Sequence, residues 1–216
     1  GGELQLSQPF PTREGATTAE ILPLDMDADG DLDYFVVASG LRVSTEEERS
    51  DYWIRSEGDV VDDETYSLES LETGKAAGMG FDGMRMDWDG DGDLDVYVVN
   101  DQGEDFGGNV LWENRDGAWF DASNDCDCGI VHSGMGVDRA DYDGDGDADL
   151  YVTAIQHNVL LQNQGEGQYV DVATATGADT LNNDLGRMSW GAVFLDHDND
   201  GRVDILLGQK SGLQLY

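Results

Sequence analysis

The chain has 216 residues, with 11 Lys+Arg against 47 Asp+Glu and a formal net charge of −36. Lys75, Lys210 and nine Arg cannot supply the clustered cations that displace phosphate counter-ions, which excludes nucleic acid as a partner and disfavours an anionic membrane surface. Five Trp, eight Tyr and six Phe argue for a packed core despite 29 Gly and a 39% hydrophobic fraction, and no run approaches the ~18 apolar residues of a membrane-spanning helix.

No basic region followed by an apolar stretch opens the sequence, so no signal peptide is expected within it. Gly2-Glu-Leu4-Gln-Leu6 reads as a strand without a local partner; residues 1–10 are a candidate outer strand to close a ring against the last repeat. Beyond them, one nonamer recurs four times. It reads Asp25-Met-Asp27-Ala-Asp29-Gly30-Asp31-Leu32-Asp33, then Asp87-Trp-Asp89-Gly-Asp91-Gly92-Asp93-Leu94-Asp95. The third copy is Asp141-Tyr-Asp143-Gly-Asp145-Gly146-Asp147-Ala148-Asp149, and the fourth is Asp196-His-Asp198-Asn-Asp200-Gly201-Arg202-Val203-Asp204. The consensus is D-x-D-x-D-G-x-φ-D, with φ apolar, at near-equal intervals.

Each nonamer lies between strand-like runs. Residues 19–24, 81–86, 136–140 and 190–195 precede the four copies; Tyr34-Phe-Val-Val37, Val96-Tyr-Val-Val99, Leu150-Tyr-Val-Thr153 and Ile205-Leu-Leu207 follow them. The following runs are short, rich in β-branched and aromatic residues, and apolar almost throughout, as strands buried on both faces require. A second pattern comes next: Asn109-Val-Leu-Trp-Glu-Asn114 and Asn158-Val-Leu-Leu-Gln-Asn163, each leading to Gly-x-aromatic-x-Asp at Gly117–Asp121 and Gly167–Asp171. These read as second hairpins. In the first repeat the counterpart is degenerate, with Tyr52-Trp-Ile-Arg55 and Asp59-Val-Val-Asp62 as the candidate strands. The expected fold class is all-β: a β-propeller of four-stranded antiparallel blades, about four in this chain. The repeats fall near 17–75, 76–125, 130–175 and 185–216.

Hard dications take oxygen ligands, and Ca2+ wants six to eight of them at about 2.3–2.6 Å. Alternating Asp at positions 1, 3 and 5 can turn three carboxylates toward one point, and Gly at position 6 allows a tight turn. Position 7 offers its backbone carbonyl, which is why Asp31, Asp93, Asp147 and Arg202 can all stand there. The acid at position 9 closes the shell. Position 8 (Leu32, Leu94, Ala148, Val203) is expected to anchor the loop in the core. Two like charges roughly 4 Å apart repel by about 4 kcal/mol at an effective dielectric near 20. A bound dication reverses that sign, so folding and metal binding should be coupled. An EF-hand is excluded, because it needs Glu at position 12 between helices, and Val36, Val98, Val152 and Leu207 stand there.

The nonamers, with Gly-rich leads such as Ser189-Trp-Gly-Ala-Val-Phe-Leu-Asp196, resemble the FG-GAP/VCBS repeats to which the calcium loops of integrin α-subunit propellers belong. The Asn-x-Leu and Gly-x-aromatic hairpin is most similar to the bacterial secreted and cartilage-acidic-protein-like branch. This resemblance implies a propeller, usually of seven blades, with one Ca2+ per loop, extracellular placement, and a role in adhesion or in protein or glycan binding. Carried onto this chain, the side-chain ligands are Asp25, Asp27, Asp29 and Asp33; Asp87, Asp89, Asp91 and Asp95; Asp141, Asp143, Asp145 and Asp149; and Asp196, Asp198, Asp200 and Asp204. The carbonyl ligands are those of Asp31, Asp93, Asp147 and Arg202. Seven blades of about 55 residues need roughly 385, more than the 216 present.

Cys126 and Cys128 are too close for a four-cysteine zinc site, and the sequence leaves a small disulfide and two free thiols both open. His132, His157 and His197 form no ligand set, and Ser133-Gly-Met-Gly lacks the context of a nucleophile elbow. Trp53, Trp112, Trp119 and Trp190 are expected in the blade core, and residues 44–50 in a solvated loop. The leading reading is a non-enzymatic, Ca2+-stabilised binding module. Two alternatives stand beside it. One is a polysaccharide lyase or hydrolase, for which Arg85, Arg139 and Arg187 are the candidate cations. The other is a structural repeat in an assembly, through self-association or completion by further chain segments.

Overall fold

The computed structural model describes residues 13–39, 50–56, 66–71, 78–179, 188–210 and 212–216. Among the described residues, fifteen strands form four antiparallel meanders in chain order. The first sheet holds β1 (Thr17–Leu24), β2 (Asp33–Ser39), β3 (Tyr52–Ser56) and β4 (Tyr66–Ser70). The second holds β5 (Met79–Met86), β6 (Asp95–Asp101), β7 (Val110–Arg115) and β8 (Ala118–Asp121). The third is β9 (Gly134–Ala140), β10 (Asp149–Ala154), β11 (Val159–Asn163) and β12 (Tyr169–Asp171); the fourth is β13 (Ser189–Leu195), β14 (Asp204–Gln209) and β15 (Gly212–Leu215). Two single-turn helices, α1 (Gly103–Phe106) and α2 (Ala173–Thr176), sit in connections. Among the described residues no helix is long and apolar enough to cross a membrane.

Each sheet lays its first strand on the first two strands of the sheet before it: β5 on β1 and β2, β9 on β5 and β6, β13 on β9 and β10. The four sheets are therefore blades of a β-propeller, stacked face to face in chain order. Three apolar layers fill the joints. Leu24, Phe35, Val37 and Trp53 meet Val96, Val98 and Trp112 between the first pair. Tyr97, Val99 and Leu111 meet Leu150, Val152 and Leu161 between the second, and Tyr151 and Leu160 meet Ile205 and Leu207 between the third. The second strands of the two middle sheets face a joint on either side, and all of β6 and β10 is accordingly buried. Trp53 stacks on Phe35 at 4.6 Å and on Trp119 of the next blade at 4.5 Å. Carboxylates also stitch first strands together: Asp82 accepts the Val137 amide (3.0 Å), and Asp138 accepts the Phe194 amide (2.8 Å).

Several expectations are adjusted. Trp53 and Trp112 are buried and Trp119 partly so, but Trp190 is 48% exposed. Tyr52–Arg55 lies in β3 as read, while the strand beside it is Tyr66–Ser70; residues 59–62 lie outside the described residues, as do 1–10 and 44–49. Cys126 and Cys128 are disulfide-bonded and buried in the second joint.

The recurring Asn that opens the second hairpin has a structural cause. Asn109 Oδ1 accepts the Asn100 amide (3.0 Å), and its Nδ2 donates to the Tyr97 hydroxyl (3.0 Å). Asn158 does the same with the Ala154 amide (3.0 Å) and Tyr151 (2.9 Å). The two hydroxyls donate onward to the Cys128 and Ala178 carbonyls, each at 2.8 Å. In the first blade Asp51 takes the Asn role, accepting the Ala38 amide (2.8 Å), and Phe35 replaces the tyrosine. With the hydroxyl gone, no group there needs the second amide donor. Burial pushes the Asp51 carboxyl up to about 8, so the folded state holds it as a neutral acid at pH 7.

A raised folded-state pKa contributes stability that is complete below the unfolded value of about 4 and is lost as pH rises to about 8. Asp51→Asn should therefore melt higher than the parent above neutrality, with the gap widening from pH 5 to pH 8.5. A gap independent of pH would show that Asp51 is not neutral in the folded chain.

Candidate metal centre

The four nonamers occupy the same place in the four sheets, between first and second strand. Their backbones are shaped before any cation is considered. Position 6 lies in the left-handed region in every copy, with φ of +94° at Gly30, +102° at Gly92, +99° at Gly146 and +85° at Gly201. Nothing lies within 4 Å of where a Cβ would sit, so the demand for Gly is conformational and not steric. Position 4 is left-handed as well, at Ala28, Gly90, Gly144 and Asn199. Ala28 holds this conformation at a cost of about 1 kcal/mol.

Asp at position 1 gathers the turn. Asp141 accepts the amides of Gly144 (2.7 Å), Asp145 (3.0 Å) and Gly146 (3.0 Å). Asp25 accepts those of Asp29 and Gly30, Asp196 those of Asp200 and Gly201, and Asp87 that of Gly90. At position 5, Asp29, Asp91, Asp145 and Asp200 each accept the position-7 amide at 2.8–2.9 Å. Position 9 differs in kind. Asp95 is fully buried; its Oδ2 accepts the Trp88 amide (2.9 Å) and its Oδ1 the Asn114 amide from β7 (2.9 Å). Asp33 and Asp149 repeat this with Met26 and Ser56, and with Tyr142 and Asn163. Asp204 accepts the His197 amide (2.9 Å). Burial pushes Asp95 up to about 7, Asp149 up to about 6, and Asp33 above the usual carboxylate range.

The structure brings together four sets of carboxylate oxygens, all within 4.8 Å of one another in each set: Asp25, Asp27 and Asp29; Asp87, Asp89 and Asp95; Asp141, Asp143 and Asp149; Asp196, Asp198 and Asp204. Positions 1 and 3 are common to all; the third member is position 5 in the first loop and position 9 in the others. All donors are hard oxygens, the chemistry of Ca2+ and not of a soft metal. Asp27 Oδ1 is buried with no hydrogen-bond partner, an acceptor left over for a cation. The residues fit the ion: these carboxylates would hold it, and it would supply the positive charge that lets them converge ionised.

The anchoring residue is not the one expected. Leu32 is 58% and Leu94 37% exposed at position 8, so they do not seat the first two loops, while Ala148 and Val203 are half-buried. Position 2 seats the first three: Met26 is buried, and Trp88 and Tyr142 pack on the clusters beneath. The position-9 acid bonds the position-2 amide in all four loops, and the apolar side chains at that position in the first three turn onto the core. His197, at the same position in the fourth loop, stays exposed. Trp88 also explains a hairpin glycine: a Cβ on Gly167 would lie 2.2 Å from its ring.

No acid–base machinery gathers elsewhere among the described residues. Burial pushes His132 down to about 4, which keeps it neutral, and His157 lies 3.6 Å from Asp179. Arg85 donates to the Pro23 carbonyl and Arg139 lies exposed on β9. Arg187 lies outside the described residues.

A propeller blade carrying an aspartate-rich loop between its first two strands defines a repeat class. The FG-GAP-like repeat matches at residues 87–152 and 141–207, together more than half of the chain. This chain belongs to the FG-GAP-like repeat family. Cartilage acidic protein 1 of Xenopus tropicalis is 40% identical over 55 residues, which are 26% of this chain and 8% of that protein. The chain therefore spans a small part of that relative's length. A solved structure of an Agrocybe aegerita lectin, described as specifically recognising non-reducing terminal N-acetylglucosamine, aligns over 87% of this chain and 46% of its own, with a TM-score of 0.44 and 18% identity.

Asp95→Ala removes the partner of two buried amides and should cost roughly 2–5 kcal/mol in excess chelator. Asp91→Ala, in an exposed turn, should cost less than about 1 kcal/mol there. Urea denaturation at pH 6, below the raised Asp95 pKa, checks this, and equal losses would refute the structural role given to the two buried bonds of Asp95.

Proposed function

We propose that this chain is a Ca2+-stabilised propeller module of an extracellular protein, holding one ion in each of its four nonamer loops. The observation that carries the reading is the recurrence of one geometry: four sets of converging carboxylates, each at the turn between first and second strand. The ligands proposed are the side chains of positions 1, 3, 5 and 9 and the carbonyl of position 7. Membership of the FG-GAP-like repeat family supports calcium as the ion. The buried Cys126–Cys128 disulfide supports an oxidising compartment, where free Ca2+ is also plentiful. The stretch shared with cartilage acidic protein 1 points the same way.

The ions have a structural task in this reading. They let the loops stand compact while charged, and they fix the loop face on which a protein or glycan partner docks. Binding to the folded chain alone stabilises it by mass action.

Native mass spectrometry should count four Ca2+ per chain, matching the four carboxylate sets. Chelation should lower the melting temperature by roughly 10 °C or more, and Ca2+ should restore it. Melting indifferent to chelator at low ionic strength would overturn the reading.

A further inference from the structure

One register position has escaped both the repeat motif and the ligand set. The residue just before the third-strand amide that bonds position 9 is Arg55 in the first blade, Glu113 in the second and Gln162 in the third. The antiparallel register places these three side chains equivalently, one residue before Ser56, Asn114 and Asn163. Two of them bond the same acid, the aspartate at position 3. An Arg55 guanidinium nitrogen donates to Asp27 Oδ2. The Gln162 amide donates to Asp143 Oδ2. Glu113 stands at the same register position in the second blade, buried, an anion where the neighbouring blades place a guanidinium and an amide. One position thus offers a cation, an anion and a neutral amide to three otherwise similar loops.

We propose that this third-strand position grades the loops in cation affinity: Glu113 makes the second loop the tightest of the three, Gln162 leaves the third intermediate, and Arg55 makes the first the weakest. The inference rests on the Ca2+ reading above. Arg55 is a tethered counter-ion. It satisfies one oxygen of Asp27 while the other, Oδ1, stays buried without a partner. A dication entering the first loop meets a guanidinium already on a ligand and must share or displace it. Entering the second loop, it meets an extra carboxylate held close by Arg115, which donates to Glu113 at 2.5 and 2.6 Å. Arg115 is half-exposed, its charge facing solvent, while Glu113 is buried. The pair therefore adds no net cation to the loop, and its carboxylate oxygens are charged donors that neither Arg55 nor Gln162 offers. Ligand charge count is how oxygen sites for Ca2+ are tuned over decades of affinity.

Calorimetric titration of the full chain with Ca2+ tests this, in the parent and in Arg55→Gln, Glu113→Gln and Gln162→Glu. The parent isotherm should require sites of unequal affinity. Arg55→Gln should tighten the weakest class roughly ten-fold and Glu113→Gln should weaken the tightest by a similar factor, the size of one unit charge beside a dication in a half-solvated site. Adding Asp27→Asn to Arg55→Gln should abolish the class that moved, which assigns it to the first loop. Melting supplies a second readout. Arg55→Gln should lower the melting temperature in chelator, where Asp27 loses its counter-ion, and raise it in saturating Ca2+. A purely structural Arg55 would lower it in both. Should Arg55→Gln fold poorly, Gln162→Glu alone decides the matter, since it should tighten one class. Four equal sites, or constants unmoved by all three substitutions, would overturn the grading and leave the Ca2+ reading standing. Absence of any Ca2+ binding would overturn both.

Discussion

The fold hangs on a buried carboxylate. At Asp33, Asp95 and Asp149 one oxygen holds the loop's own position-2 amide and the other holds an amide of the third strand. A hydrogen bond to a charged group is worth roughly 1.5–3 kcal/mol, and leaving its partner unpaired in the core costs a similar amount. One side chain thus ties the loop to the second and third strands at the edge where the sheet meets the loop. The same burial works against ionisation, as the raised pKa values of Asp95 and Asp149 record. Geometry and charge pull in opposite directions at this residue. Positive charge bound from outside the fold would resolve that conflict at position 9.

The four loops and the strands flanking them were legible in the sequence, because carboxylates at alternate positions with Gly at position 6 answer a charge and conformational requirement that composition alone cannot hide. The blade order followed from the repeat. Other features needed three dimensions. Leu32 and Leu94 look like anchors because they are apolar, yet Met26 and Trp88, whose amides the position-9 acids bond, do the anchoring. Asp51 was invisible as the counterpart of Asn109 and Asn158: a change from amide to acid broke the motif, and only the paired change from Tyr to Phe at residue 35 shows that the network was altered as a unit. Trp190 reads as core by type and strand position, but its exposure depends on what packs against a sheet face, which local pattern does not encode. Arg55, Glu113 and Gln162 share no chemistry at all, so only strand register reveals their equivalence.

The blades are interlocked in one direction, and this bears on what any one loop can do. A Cβ on Gly117, in the β7–β8 turn of the second blade, would lie 3.3 Å from the Asp27 backbone in the first loop. Gly167, in the β11–β12 turn of the third, meets Trp88 of the second loop. The first and second loops are therefore braced by the hairpin of the blade that follows, while the position-9 acid of each is tied to the third strand of its own blade. Ordering a loop orders two blades at once, through contacts between nearest neighbours. In such an array stability is close to a sum of unit terms and junction terms, and a change at one junction is felt mainly by the two units that share it. Loops of unequal affinity then have a distinct consequence. The tightest would order the second and third blades at cation levels that leave the first loop to its own arginine, so that the first blade responds to a concentration range the others no longer sense.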